Sequence, residues 1–413
     1  MSEVLTKAKR VKSAEKTLRL ATTDEKNRAI LEIGRQIEKE QPMILKANQE
    51  DVRKARQNGI SEAMIDRLRL SEVRMSDMVK ACSKVATLAD PVGSVMKSWV
   101  KGALNITQIR VPIGAIGMIY ESRPNVTLDA TILALKSGNP VLLRGGSDAL
   151  ASNMAIARAI KTGLSKTGIP DFAVEIIEDT NRENVSQLVK MNAYLSLIIP
   201  RGGAGLIRYV IENSSIPVLE TGVGNCHIFV DYNADREKSI EIIDNAKTQR
   251  PGTCNSVETV LVHEKIASQL LPPLNERLGA KGVEIRGCIN TSKIIDCKVA
   301  QESDWETEYL DFILAIKVVK DVQQAIDHIE QYSTRHSEAI LTNDLTNARL
   351  FQASVDSAAV YVNASTRFTD GEQFGFGGEI GISTQKLHAR GPVGLEELTT
   401  YKYTLIGDYT IRG

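Results

Sequence analysis

The sequence predicts an α/β chain made of two doubly wound parallel-sheet blocks, and three observations carry that prediction. From about residue 116, short apolar runs alternate with helix-length segments, as in a parallel sheet covered on both faces. A second alternation of the same kind begins near residue 228. The joins are punctuated by Gly138-Asn139-Pro140 and Gly168-Ile169-Pro170, placed where helices should stop. A chain of 413 residues exceeds one ordinary core and has room for two or three domains.

Composition bounds the function. With 42% hydrophobic and 25% charged residues the chain reads as soluble and globular. Lys+Arg and Asp+Glu both number 51, so the formal net charge is zero, and the electrostatic footprint of a nucleic-acid binder is missing. No apolar stretch reaches the roughly 18 residues of a membrane span. The opening MSEVLTKAKRVKSAEK has no apolar core of a secretory signal. The cysteines (Cys82, Cys226, Cys254, Cys288, Cys297) are odd in number and scattered. This argues against a disulfide framework or a zinc site and favours a cytoplasmic location.

Residues 1 to about 90 read as helices. Thr22 and Glu25 form a candidate capping box ahead of Ile30, Ile33 and Ile37, and Pro42 should end that helix. Met43 to Gln57 makes a second helix, closed by Asn58-Gly59. Ser71 can cap a third, whose apolar face (Met75, Met78, Val79, Cys82, Val85) makes Cys82 a packing residue. Two extended runs around Gly102 suggest a hairpin arm, and 400–407 an extended tail. Strands are expected at 116–120, 141–143, 173–177, 195–199 and 217–219. In the second block they are expected at 228–231, 257–263, 283–286, 313–319, 339–342 and 359–362.

Several stretches could carry chemistry. Arg144-Gly145-Gly146-Ser147 and Arg201-Gly202-Gly203 each follow a strand and open a helix. Such glycine turns let a backbone approach a phosphate at a helix N-terminus, although tight turns alone would also need them. Neither matches the dinucleotide pattern G-x-G-x-x-G. Asn125, behind Pro124, is either an oxyanion donor or a helix cap. Glu220 ends a strand before Gly222 and Gly224, and could serve as a base or cap the turn. Cys226-His227 could be a dyad or simply enter a strand. In Gln249-Arg250-Pro251-Gly252-Thr253-Cys254-Asn255 a thiol sits in a turn that feeds the apolar run 257–262. That placement suits a nucleophile on a rigid scaffold, and a buried structural cysteine is the alternative. His263, His328, His336 and His388 have no partner at ligand spacing, so no metal is expected.

Together these pieces resemble the aldehyde dehydrogenase superfamily: an Asn after an early strand, a Glu-x-Gly segment, a Cys 34 residues after that Glu, and an acidic residue, here Glu308, before a later strand. Three longer segments are similar to the branch that reduces L-glutamyl 5-phosphate. They are Glu121-Ser122-Arg123-Pro124-Asn125-Val126-Thr127, the Cys254 turn, and Phe374-Gly375-Phe376-Gly377-Gly378-Glu379-Ile380-Gly381, which runs on to Leu387-His388-Ala389-Arg390-Gly391-Pro392.

The resemblance implies a fold of two doubly wound domains plus a β-arm for oligomerisation. It gives a nucleotide-binding domain at 1–96 and 113–226, a catalytic domain at 227–399, and the arm at 97–112 and 400–413. It implies a small-molecule substrate, a homo-oligomer (dimer or tetramer), and a pathway, proline biosynthesis, in which a glutamate kinase supplies the acyl phosphate and could touch this enzyme. Cys254 would attack the acyl phosphate, with Asn125 and the Cys254 N–H on the oxyanion. Glu308 would hold the nicotinamide ribose. Arg144, Gly146, Ser147, Gly202 and Gly203 would meet the rest of the cofactor, and Arg123, Arg250, Asn255 or Arg367 the substrate. Glu220 matches the residue that activates water in hydrolytic relatives, a task that a reductase must avoid. NAD-preferring relatives often carry a carboxylate where this chain has Arg144 to Ser147, so NADPH is the expected reductant. The rival expectations are oxidation of another small aldehyde and a non-catalytic binding protein on the same fold.

Overall fold

The computed structural model describes residues 2–412. It divides into two compact units: Met1–Thr221 with Gly375–Gly381 and Val393–Gly413, and Gly222–Phe374 with Ile382–Pro392.

The first unit opens with five helices, α1 (Glu3–Leu20), α2 (Thr23–Lys39), α3 (Gln41–Gln57), α4 (Glu62–Leu68) and α5 (Glu72–Thr87). The expected capping box forms: the Glu25 carboxylate accepts the Thr22 N–H at 2.7 Å, and Thr22 Oγ1 accepts the Glu25 N–H at 3.3 Å. Pro42 lies in the first turn of α3, where its missing N–H costs no bond. The hairpin β1 (Val95–Lys101) and β2 (Leu104–Pro112) follows, turning at Gly102 with φ +59°.

A four-stranded sheet is then laid down by β3 (Ile116–Tyr120), α6 (Asn125–Lys136), β4 (Val141–Arg144), α7 (Leu150–Leu164), β5 (Val174–Ile176), α8 (Glu183–Leu188), β6 (Leu197–Arg201) and α9 (Ala204–Asn213). Every strand pair is parallel, in the order β5-β4-β3-β6. The chain starts at β3, winds out to β5 and returns to the other side of β3. Its topological switch point therefore lies between β3 and β6, where such sheets open a ligand crevice at their carboxyl ends. Val4, Ala8 and Val11 of α1 join Ile119, Leu142 and Ile198 in a core on one face of the sheet. The expected strand at 217–219 is reduced to one bridge, Ile198 with Val218. Pro217 has no N–H with which to extend the ladder.

The second unit holds β7 (Cys226–Val230), α10 (Arg236–Thr248), β8 (Val257–His263), α11 (Glu264–Gly279), β9 (Glu284–Gly287), α12 (Ile289–Ser292), β10 (Lys298–Val299), β11 (Ile313–Val319), α13 (Val322–Tyr332), β12 (Ser337–Leu341), α14 (Leu345–Ser354) and β13 (Ala359–Val362), with the small ladder of β14 (Ile382–Ser383) and β15 (Gly391–Pro392). Its seven strands are parallel, ordered β10-β9-β11-β8-β7-β12-β13. Side-chain alternation along β8 explains the near-continuous apolar sequence. Val260 and Val262 join the core that includes Ile243, Leu270 and Leu274, whereas Leu261 joins the core that includes Ile326, Ile329 and Phe351. The last strand, β16 (Thr399–Ile406), belongs to the first unit and pairs antiparallel with β2, giving an arm ordered β1-β2-β16. Among the described residues, no helix is long and apolar enough to cross a membrane.

Candidate active site

In the first unit the two glycine turns flank the end of β3. Glu121 follows that strand, and its N–H donates to the Arg201 carbonyl at 3.0 Å. Its carboxylate accepts the Gly203 N–H at 3.0 Å, on the first turn of α9. A methyl group on Gly202 would collide with that carboxylate, and one on Gly146 would collide with Asp148. At both glycines the missing side chain lets a carboxylate approach the backbone. Ser122, at φ +47°, bonds the Asp148 carboxylate through its hydroxyl. Gly202 and Gly203 therefore present an anion-accepting N-terminus whose present occupant is the chain's own Glu121.

Arg144 closes the other turn and is 9% exposed. Its Nη2 donates to Thr180 O at 2.8 Å, while its Nε has no partner. Burial is the main force lowering its pKa, and Arg182 adds like-charge repulsion against the opposing pull of Glu121, Asp148 and Asp179. A buried guanidinium with an unused N–H is suited to an anionic group. Ser147, beside it, is exposed.

Asn125 is the first residue of α6, and the cap position belongs to Pro124. Its Nδ2 donates to Asp129 Oδ2 at 2.8 Å, one turn further on. Burial raises the Asp129 pKa to about 6, against the opposing effects of Asn125 and Arg201. Asp129 thus orients the amide by one of its two N–H bonds. Arg123, in the turn before it, and Glu220, beyond the Val218 bridge, are partly buried.

In the second unit the Cys254 turn is fastened on several sides. Cys254 is partly exposed, and Asn255 is buried. Asn255 Nδ2 donates to Thr369 O at 3.0 Å and Arg367 O at 3.3 Å, and Thr366 Oγ1 donates to Asn255 O at 2.7 Å. Arg367 reaches back, with Nη1 2.8 Å from Thr253 Oγ1 and Nε 3.0 Å from Gln249 Oε1. Burial lowers the Arg367 pKa, and repulsion from Arg250 lowers it further. Two arginines thus share the neighbourhood of one thiol. A methyl group on Gly224 would land on the Cys254 carbonyl oxygen, so only glycine fits there. Asn255, expected to meet substrate, uses its amide to hold the loop.

Glu308 Oε1 accepts the Gly224 N–H at 2.6 Å. Its segment is tied to β8 by Leu310 N–H donating to Glu258 Oε1 at 3.2 Å. Glu258 in turn pairs with the buried Lys247 at 2.6 Å. Burial raises the Glu258 pKa to about 7 in spite of that lysine. Sequence pattern did not mark Asp129 or Glu258, and it gave no role of their own to Glu121 and Gly224. The carboxylate directly after an expected strand was the one signal that could have marked Glu121. The Cys226-His227 dyad does not form, because neighbours on a strand face opposite ways. The Cys226 sulfur lies 3.7 Å from His336 Nδ1, whereas the His227 ring approaches Glu338 and His328.

Paired parallel sheets, glycine turns at a switch point and a strapped thiol define a nucleotide-dependent oxidoreductase architecture, and the chain belongs to the aldehyde dehydrogenase family, whose model matches residues 2–285. Members of that family use nicotinamide cofactors. Over its full length the chain is 61% identical to a gamma-glutamyl phosphate reductase from Kosmotoga olearia, covering 100% of both chains. It is 59% identical to one from Thermotoga petrophila, again with 100% of both covered. The crystal structure of the Thermotoga maritima gamma-glutamyl phosphate reductase superposes with a TM-score of 0.97 at 59% identity, covering 100% of each chain.

Proposed function

We propose that the chain reduces L-glutamyl 5-phosphate to L-glutamate 5-semialdehyde with NADPH, releasing phosphate, as a step of proline biosynthesis. The observation that carries this reading is the partly exposed Cys254 thiol on a turn held by Asn255, Thr366 and Arg367; the full-length relatives support the choice of substrate.

Cys254, as thiolate, attacks the acyl carbon, and phosphate leaves with the bonding electrons, giving a thioester. Asn125 and the Cys254 N–H serve as donors to the oxyanion. The nicotinamide, when bound, supplies the hydride that reduces the thioester. Collapse of the thiohemiacetal then frees the aldehyde and returns the thiol. The backbone around Gly146, Ser147, Gly202 and Gly203 in the first unit, and Glu308 in the second, would hold the cofactor. The orphaned Nε of Arg144 favours a 2′-phosphate there, hence NADPH. Arg250 and Arg367 receive the anionic ends of the substrate, with Arg123 a further candidate from the first unit. The β1-β2-β16 arm is the proposed oligomerisation surface, since Val95, Val100, Leu405 and Ile406 are each more than half exposed.

Phosphate dependence tests the reading. Run backwards, reduction of NADP by the semialdehyde should require inorganic phosphate in the wild type and vanish in Cys254→Ala. Turnover that ignores phosphate would instead indicate simple aldehyde oxidation.

A further inference from the structure

Behind the Cys254 turn lies a line of polar groups that this chemistry leaves unused. The Cys226 thiol donates to the Cys254 carbonyl oxygen at 3.1 Å, and its sulfur lies 3.7 Å from His336 Nδ1. The same nitrogen is 2.8 Å from Ser337 Oγ, which is 2.6 Å from Thr369 Oγ1. Thr369 closes the ring through its carbonyl, which accepts the Asn255 amide at 3.0 Å. Cys226, His336, Ser337, Thr369 and Asn255 are all buried. Because its members are buried, a ring that begins at the nucleophile's own carbonyl and ends at the next residue leaves an unsatisfied polar group when a link is lost.

The ring has one end of fixed direction. The thiol carries one hydrogen, directed at the Cys254 carbonyl, so toward His336 its sulfur can only accept. Nδ1 of His336 faces both Cys226 Sγ and Ser337 Oγ, and Ser337 Oγ in turn meets Thr369 Oγ1, so the imidazole backs the thiol within the ring. Burial raises the Cys226 pKa and keeps the thiol protonated for this role. Gly224 completes the clamp, because its missing side chain leaves the space that the carbonyl occupies.

We infer that Cys226 is a positioning residue: its thiol, backed by His336, fixes the Cys254–Asn255 peptide plane and with it the direction of the Cys254 thiol and N–H. This rests on Cys254 being the nucleophile. Without the link the peptide can tilt, and the thiol remains present but misdirected.

Alkylation of Cys254 by iodoacetamide, with Cys254→Ala as background, tests this alongside kcat and the KM for NADPH. Cys226→Ala should slow alkylation and lower kcat by about tenfold, with KM for NADPH within about twofold. Cys226→Ser, which still offers a donor, should recover to within about threefold of wild type. Wild-type alkylation and kcat in Cys226→Ala would overturn the inference. So would a serine variant as slow as the alanine one at an unchanged melting temperature. Should Cys226→Ala not fold, Ser337→Ala breaks the same ring one link away; slower alkylation then supports the inference and a wild-type rate overturns it. Alkylation needs no substrate, so an enzyme that ignores phosphate would sink the proposed reaction while this measurement still decides the role of Cys226.

Discussion

The glycine turns of the first unit and the Cys254 turn of the second solve opposite problems. The former are openings: Gly202 and Gly203 expose backbone N–H groups, and a carboxylate from Glu121 occupies one of them. That occupant is exposed and can leave when a stronger anion arrives. The latter is a closure: Asn255, Thr366, Arg367 and Cys226 hold one short turn from different elements. A binding surface can exchange partners, whereas a nucleophile must keep its aim. The first is therefore built from missing side chains, and the second chiefly from side-chain hydrogen bonds for which Gly224 leaves room.

The contrast breaks first at Cys254. Cys254→Ala should lower turnover by about a thousandfold or more while NADPH binding, followed by fluorescence titration, stays near wild type. Glu220→Gln should lose only about tenfold or less, because a reductase has no water to activate at its thioester. Equal losses in the two variants would show that the carboxylate takes part in every turnover. Next comes Gly224→Ala, which sets a methyl group on the Cys254 carbonyl. A loss of about 3 kcal/mol in urea unfolding, together with loss of activity, is expected, at the upper end for overpacking. The openings should respond in a different quantity. Arg144→Ala should reduce the preference for NADPH over NADH by about tenfold or more through KM, leaving kcat with NADH nearly unchanged. A fall in kcat with both cofactors would make Arg144 structural.

The same contrast explains what the sequence could disclose. Elements with strong periodicity were legible, and β3, β8, β11 and β13 occupy the expected residues. The strand expected at 217–219 failed because three residues beginning with a proline do not make a ladder, a matter settled by pairing rather than propensity. The openings were legible because glycine after a strand is a local signal. The closure was not: Thr369 lies 114 residues from Asn255, and His336 lies 110 from Cys226. No pattern within a window of sequence links such pairs. Cys226 was visible only as the neighbour of the wrong histidine, and the strand's alternation turned it toward the right one.

The smallest expected effect concerns Asp129, which belongs to neither class because it holds a donor rather than a loop. Burial raises its pKa to about 6, so the folded state favours the neutral carboxyl. For an acid whose pKa rises on folding, that contribution is full below the unfolded value near 4 and is lost as pH climbs through about 6. Asp129→Asn removes the charge yet keeps an oxygen to accept the Asn125 N–H. Its melting temperature should therefore match or fall below wild type near pH 4 and exceed it by a few degrees above pH 7, with the crossover between. Turnover at pH 7.5 should change by about twofold at most, since the amide keeps its orientation. A melting difference that stays flat across that range would mean that the carboxyl is not held neutral by burial. Asp129→Leu, which removes the acceptor as well, should gain the same stability at high pH but lose turnover. The comparison separates the charge of Asp129 from its hold on Asn125.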